Sequence, residues 1–143
     1  MQKTALKLKK LHPEAKIPIY ATEGSAGCDF YSVEETSILP GETKKIRTGI
    51  ALEIPAGYFM KLEGRSGFSS KGLIKTGGVI DSDYRGEIHI VLYNSTSDSF
   101  TIGKGDRIAQ GILMSINQAN FHEAVELSET KRGEGGFQST GLK

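Results

Sequence analysis

The feature that most constrains this chain is apolar alternation with a period of two, cut into short runs by turn residues. In TGIALEI (48–54), Ile50, Leu52 and Ile54 alternate with small or polar residues. In RIAQGILMSI (107–116), Ile108, Ile112, Met114 and Ile116 do the same. Successive side chains on a strand point to opposite faces, so these runs suit half-buried strands and would scatter their apolar groups around a helix. Between them LPGE (39–42), IPAG (54–57) and IGKGD (102–106) supply Gly and Pro turn signals. EIHIVLYN (87–94), rich in β-branched and aromatic residues, reads as a central strand. The expectation is a mostly β chain: a jelly-roll-like β-barrel of short strands with at most one short helix. SGFSSKG and NFHEAVEL are the places for helix, although NFHEAVEL fits period two through Phe121, Val125 and Leu127 equally well.

The 143 residues suit one domain with one real hydrophobic core, and no internal repeat, linker or second domain interrupts them. Eighteen Lys and Arg against 17 Asp and Glu leave a formal net charge of +1, which argues against a nucleic-acid coat or a basic membrane binder. Any bound anion must therefore be met by locally focused charge. Cys28 is the only cysteine, so no intrachain disulfide forms and a reducing compartment is the simpler expectation. MQKTALKLKKLHPEAK holds no apolar run of signal-peptide length and no membrane span follows. These features predict a cytoplasmic protein, with a nucleus or a virus-infected cell equally compatible.

Five short stretches combine glycine with charge or hydroxyl and do not look like core: SAGCDFYS (25–32), GRSGFSS (64–70), GGVIDSDYRG (77–86), GKGDRIAQ (103–110) and RGEGGFQSTGLK (132–143). Each alone also reads as a plain turn, since Gly, Asp and Ser serve turns for conformational reasons. In GGVIDSDYRG, Asp81 and Asp83 face opposite ways on an extended chain, which disfavours a shared-proton pair. A calcium loop fails there because Arg85 occupies a ligand position and Leu92 stands where the bidentate Glu belongs. In GRSGFSS, Arg65 offers a planar fork for phosphate oxygens, and Ser66 with the Gly67 amide donates to the same anion. A serine-hydrolase elbow is excluded because Phe68 stands where glycine is required. His12, His89 and His122 are scattered, and no HExxH or cysteine pair marks a zinc site. The tail is no phosphate-binding P-loop, since Leu142 replaces the required lysine. Its glycines favour a mobile segment that orders onto a ligand, with Phe137 as a flat face for a base and Arg132 as a charge for a phosphate. Asp106 and Arg107 read as a structural pair.

In their order along the chain, AG-x-D, RSG, GVID-x-DYRG, GDR-x-AQ and RG-x-GGF-x-STG resemble the five motifs of the homotrimeric dUTPases, the dUTP pyrophosphatases. The resemblance runs from about Tyr20 to Gly141. It implies hydrolysis of dUTP to dUMP and pyrophosphate by water attack on the α-phosphorus, keeping uracil out of DNA and supplying dUMP for thymidylate synthesis. By resemblance Asp81 holds and activates the water, while Gln110 contacts the phosphates and helps place it. Arg65, Ser66 and Gly67 bind the triphosphate. Tyr84 packs against deoxyribose where a 2′-hydroxyl would collide; the bland alternative is a half-buried strand aromatic. Gly77, Gly78 and the backbone of Val79 and Ile80 shape a slot that reads the uracil edge.

The resemblance also implies Mg²⁺, with Asp29 acting on it through its water shell, although a simple turn aspartate is the competing reading. It divides the chain into a β domain (1–131) and a glycine-rich lid (132–143), whose Arg132, Phe137 and Gln138 close over a site shared between subunits of a homotrimer. Two departures stand out. Gln138 replaces a residue that is most often glycine, and SSKGLIKTGG is slightly shorter than expected, so Lys75 and Thr76 receive no base-reading role. One rival is a dCTP deaminase-like enzyme, which should carry a glutamate at the position of Val91 and lacks the Phe-bearing tail. Another is a non-catalytic nucleotide-binding regulatory protein of the same fold.

Overall fold

The computed structural model describes residues 3–136. Its strands are β1 (Lys7–Lys10), β2 (Cys28–Tyr31), β3 (Thr36–Ile38), β4 (Thr43–Arg47), β5 (Ile50–Glu53), β6 (Tyr58–Glu63), β7 (Leu73–Thr76), β8 (Val79–Ile80), β9 (His89–Asn94), β10 (Phe100–Ile102) and β11 (Arg107–Ser115). One helical turn, α1 (Ser66–Ser69), interrupts them. The strands pair antiparallel in the orders β2-β11-β6-β8, β4-β9-β7, β1-β5 and β10-β3. Phe30, Ile38, Ile46, Ile50, Leu62, Leu73, Ile90, Ile102 and Ile108 join one buried cluster, so strands of all four sheets wrap a single core. This is the expected mostly β barrel, and EIHIVLYN lies centrally in its sheet as β9, with Ile90, Leu92 and Asn94 buried in alternation. The three turn signals close as expected: Glu42 donates to the Leu39 carbonyl, Tyr58 to Pro55 and Asp106 to Gly103, at 3.0, 3.2 and 3.1 Å.

Two expectations change. In β11 the pairing with β2 shifts register between Arg107 and Ala109, a β-bulge that leaves Ile108 and Ala109 both fully buried. Past the bulge the inward positions are Gly111 and Leu113, opposite Leu62 and Met60 of β6. Ile112 and Met114 thus fall on the outer face, with Met114 41% exposed, although they share a sequence parity with Ile108. NFHEAVEL forms no regular element, and Phe121, Val125 and Leu127 are 91%, 103% and 90% exposed. Period two along that stretch finds no surface of its own chain to pack on. Among the described residues no helix is long and apolar enough to cross a membrane.

Candidate active site

On the outer face of the β2-β11-β6-β8 sheet, Gln110 stands directly across from Asp29 on one side and Glu63 on the other. The bulge at Ile108 turns Arg107 onto this same face, where simple alternation from Gln110 would send it inward. Its Nη1 reaches the Asp29 Oδ2 at 3.4 Å. From the far end of β6, Arg65 brings its Nε to 3.6 Å from Asp29 Oδ1 and donates from Nη1 to the Arg107 carbonyl at 3.1 Å. Asp29 is 9% exposed, so two guanidiniums converge on one nearly buried carboxylate. This corrects the expected Asp106–Arg107 pair: the Asp106 carboxylate accepts instead from the Gly103 amide at 2.7 Å, closing its own turn.

These side chains line a cavity of about 250 Å³ together with Ala21, Ser25, Ala26, Gly27 and Ser66. Gly27 is required by contact. A Cβ there would stand 2.8 Å from the Gln110 Oε1 and 3.1 Å from its Cβ, displacing the side chain whose Nε2 donates to the Gly64 carbonyl at 3.2 Å. Helix α1 starts at the rim. Its first bonds run from Phe68 and Ser69 to the Arg65 carbonyl, at 3.0 and 2.9 Å, and leave the Ser66 and Gly67 amides outside the ladder. Two cations, a hydroxyl and unclaimed amides around one concavity suit an anion with several oxygens.

The GGVIDSDYRG residues lie elsewhere on the chain. β8 pairs Val79 with Lys61 and Ile80 with Met60, so it runs back along β6 and carries Asp81 toward Phe59, away from Arg65. Asp81 and Asp83 sit on a turn closed by the Tyr84 amide on the Asp81 carbonyl at 3.2 Å, in place of the expected extended run, and both are exposed. Tyr84 is 43% exposed and lies outside any strand, which removes the strand-aromatic reading. Its hydroxyl donates to the Glu87 carbonyl at 3.0 Å, and its ring lies over Gly86, where a Cβ would meet Cζ at 2.6 Å. Before this turn, Gly77 and Gly78 hold φ of 65° and 111°, and the Gly78 carbonyl accepts from Leu62 at 2.7 Å.

Arg132 is exposed in a turn, donating to the Gly135 carbonyl at 2.8 Å; Phe137 and Gln138 lie outside the described residues. Among the described residues no three His, Cys, Asp or Glu side chains converge as a metal site. Beneath the site, Cys28 is buried, its thiol facing the Gly111 carbonyl at 3.4 Å, and burial pushes its pKa up.

The structure thus brings Asp29, Arg65, Ser66 and Gln110 together and leaves Asp81, Tyr84 and Arg132 apart from them. Sequence reasoning missed Arg107 and Gly27 as members of the cavity. Gly27 lay inside the AG-x-D stretch, whereas nothing in the alternation signalled the bulge that re-aims Arg107.

A β-barrel with a cationic, donor-rich cavity on one sheet face defines a protein built to hold a polyanionic small molecule. The family model described as dUTPase matches residues 13–141, and the chain belongs to that family. A deoxyuridine 5′-triphosphate nucleotidohydrolase of Nautilia profundicola is 49% identical over 95% of this chain and 98% of its own length. One from Clostridioides difficile is 46% identical over 96% and 98%. The solved dUTPase of Staphylococcus bacteriophage 80alpha with dUPNHPP superposes with a TM-score of 0.92 at 31% identity, covering 98% of this chain and all of that one. A variant dUTPase from phage phi11 of S. aureus, described with a structural Mg(II) ion, gives 0.81 at 27% identity over 86% and 98%. The jelly-roll expectation stands.

Proposed function

We propose that the protein hydrolyses dUTP to dUMP and pyrophosphate, water attacking the α-phosphorus. The observation that carries this reading is the convergence of Asp29, Arg65, Ser66, Arg107 and Gln110 on one cavity in a chain of the dUTPase family. A triphosphate in that cavity places its oxygens against Arg65, the Ser66 hydroxyl and the Ser66 and Gly67 amides. These donors are fixed before the reaction, so they stabilise the charge that spreads over the phosphates without reorganising. Gln110, held to Gly64, is positioned to orient the water. Asp81 takes the water proton as general base. Gly78 and the Val79–Ile80 backbone read the base, Tyr84 lies against the sugar, and Arg132, Phe137 and Gln138 close over the nucleotide.

Mg²⁺ fits the donor set. Asp29 Oδ2 accepts from Arg107 Nη1 at 3.4 Å and Oδ1 lies 3.6 Å from Arg65 Nε, and each carboxylate oxygen keeps a further lone pair that can accept from water. A hard cation held chiefly by phosphate oxygens, with Asp29 on its water shell, needs no side-chain cage. When bound it neutralises charge on the phosphates.

The separation of Asp81 from the cavity supports a site completed by another copy of the chain, in a homotrimer. The Phe59-to-Glu63 run alone spans about 13 Å at ~3.3 Å per residue, too far for Asp81 to reach a water at a phosphate beside Arg65. Exposed Phe121, Val125 and Leu127, and Met114 and Val79 on the sheet face, supply apolar surface for such contacts. The test is pyrophosphate release from dUTP, dCTP, dTTP and UTP side by side, with and without Mg²⁺. Turnover confined to dUTP and dependent on Mg²⁺ supports the reading, and deamination of dCTP, or binding without turnover, refutes it.

A further inference from the structure

Arg107 holds both other members of the cavity's charge cluster, one with its backbone and one with its side chain. Its carbonyl accepts from Arg65 Nη1 at 3.1 Å, and its own Nη1 donates to Asp29 Oδ2 at 3.4 Å. The Arg65 Nε stands 3.6 Å from Asp29 Oδ1, beyond hydrogen-bond length, so the closer hold on the carboxylate is that of Arg107. Among the described residues, the bond to the Arg107 carbonyl is the only hydrogen bond that the Arg65 side chain makes, and no third cation pairs with Asp29. A nearly buried carboxylate needs a partner, because burying a charge without one is costly. Deprived of Arg107, Asp29 has only Arg65 to turn to. A guanidinium gripped by a carboxylate is withdrawn from any other anion.

We propose that Arg107 is a positioning residue that keeps Asp29 occupied, so that Arg65 stays available to the phosphates of the substrate. Two anions compete for Arg65: Asp29, always present, and the incoming triphosphate. Arg107 decides that competition by satisfying Asp29 itself. The β-bulge between Arg107 and Ala109 makes this possible, since it turns the Arg107 side chain onto the face that carries Asp29. Arg107 acts through Asp29 and Arg65 and not on a reacting atom. The inference rests on the dUTP reading above and adds the residue that leaves the phosphate-binding arginine free.

The test is a double-mutant cycle on the binding of dUPNHPP, whose imido bridge resists cleavage. Calorimetry without Mg²⁺ compares the wild type, Arg107→Gln, Asp29→Asn and the double variant, with thermal melting of each. Arg107→Gln should weaken binding about 10- to 100-fold, the range expected for losing a hydrogen bond to a charged group. Asp29→Asn should restore most of that loss in the Arg107→Gln background, because Arg65 then has no captor, and should change affinity far less in the wild-type background. If Arg107 merely adds positive charge, Asp29→Asn raises affinity by the same factor in both backgrounds. That additivity overturns the inference while leaving the dUTP reading intact. Unchanged binding in Arg107→Gln overturns it too, as does a wild type that binds no dUPNHPP without Mg²⁺, since Arg65 would then not be free for phosphate. Arg107→Met takes the place of Arg107→Gln if the latter does not fold, and failure of both overturns the inference by making Arg107 a purely structural residue. Wild-type protein without dUTP turnover removes the dUTP reading and the inference with it.

Discussion

Replacing Gly27 with alanine tests whether the cavity is held as tightly as its contacts indicate. The added Cβ would stand 2.8 Å from Gln110 Oε1, 3.1 Å from its Cβ and 3.3 Å from its Cγ. The carboxamide end is free to swing, but the Gln110 Cβ is fixed in β11 directly across from Asp29. Relief therefore moves the whole side chain and breaks its 3.2 Å bond to the Gly64 carbonyl. The lost bond costs about 0.5–1.5 kcal/mol and the crowding about 1–3 kcal/mol, so stability should drop by roughly 1.5–4.5 kcal/mol. That is less than the ~5–15 kcal/mol of an ordinary domain, and the variant should fold. Its turnover should suffer more. A displacement of about 1 Å in a positioning group costs on the order of 10²-fold. Urea unfolding and steady-state pyrophosphate release measure the two effects. Gly24→Ala is the control, since a Cβ at Gly24, in the same loop, meets nothing within 4 Å. Wild-type turnover in Gly27→Ala, or an equal loss in Gly24→Ala, would refute the assignment of Gln110 to the reaction.

Asp81→Asn keeps the shape of the turn and removes the base, so turnover should fall by about 10²–10⁴-fold with nucleotide binding nearly intact; parallel binding and rate measurements check this. Deleting residues 132–143 should leave the melting temperature near that of the full chain and sharply reduce dUTP hydrolysis, because a lid contributes mainly at the transition state. Full activity in the truncated protein would reduce the segment to a mere tail. Cys28 titrates above its ordinary range because burial disfavours the thiolate. With the folded value raised, its contribution to stability is complete below about pH 8.5, the ordinary thiol value, and is lost as pH rises toward the folded value. Urea midpoints should fall more steeply between neutral and alkaline pH in the wild type than in Cys28→Ala, and equal slopes would contradict the burial argument.

The barrel was legible because alternation in β9, with one face buried, and the turns LPGE, IPAG and IGKGD mark it directly, and because the small Ala51 lets β5 bury Ile50, Ala51 and Leu52 in succession without disturbing its apolar period. Alternation misled in β11, where the bulge at Ile108 reverses parity halfway along and sends Ile112 and Met114 outward. The same bulge hid Arg107, whose pairing with Asp29 depends on a face that no local pattern encodes. The Asp29, Arg65, Ser66 and Gln110 cluster was readable only from the joint order of separate stretches, because its members come from β2, β11, the β6–α1 connection and the start of α1. Lys75 received no role because SSKGLIKTGG is shorter than expected, and only the fold shows its ammonium curling onto the Leu62 and Gly77 carbonyls.

The most direct test of a site divided between copies mixes two inactive variants. Arg65→Gln damages the phosphate cavity and Asp81→Asn removes the base; each alone should be nearly inactive. Co-expressed in equal amounts and left to assemble at random, they should regain about a quarter of wild-type dUTP turnover, since in a closed ring that fraction of sites pairs an intact cavity from one chain with an intact Asp81 from its neighbour. If both halves of each site came from a single chain, every site in the mixture would carry one lesion. Recovery near a quarter is the predicted result, and no recovery in assemblies verified to contain both variants would contradict the account.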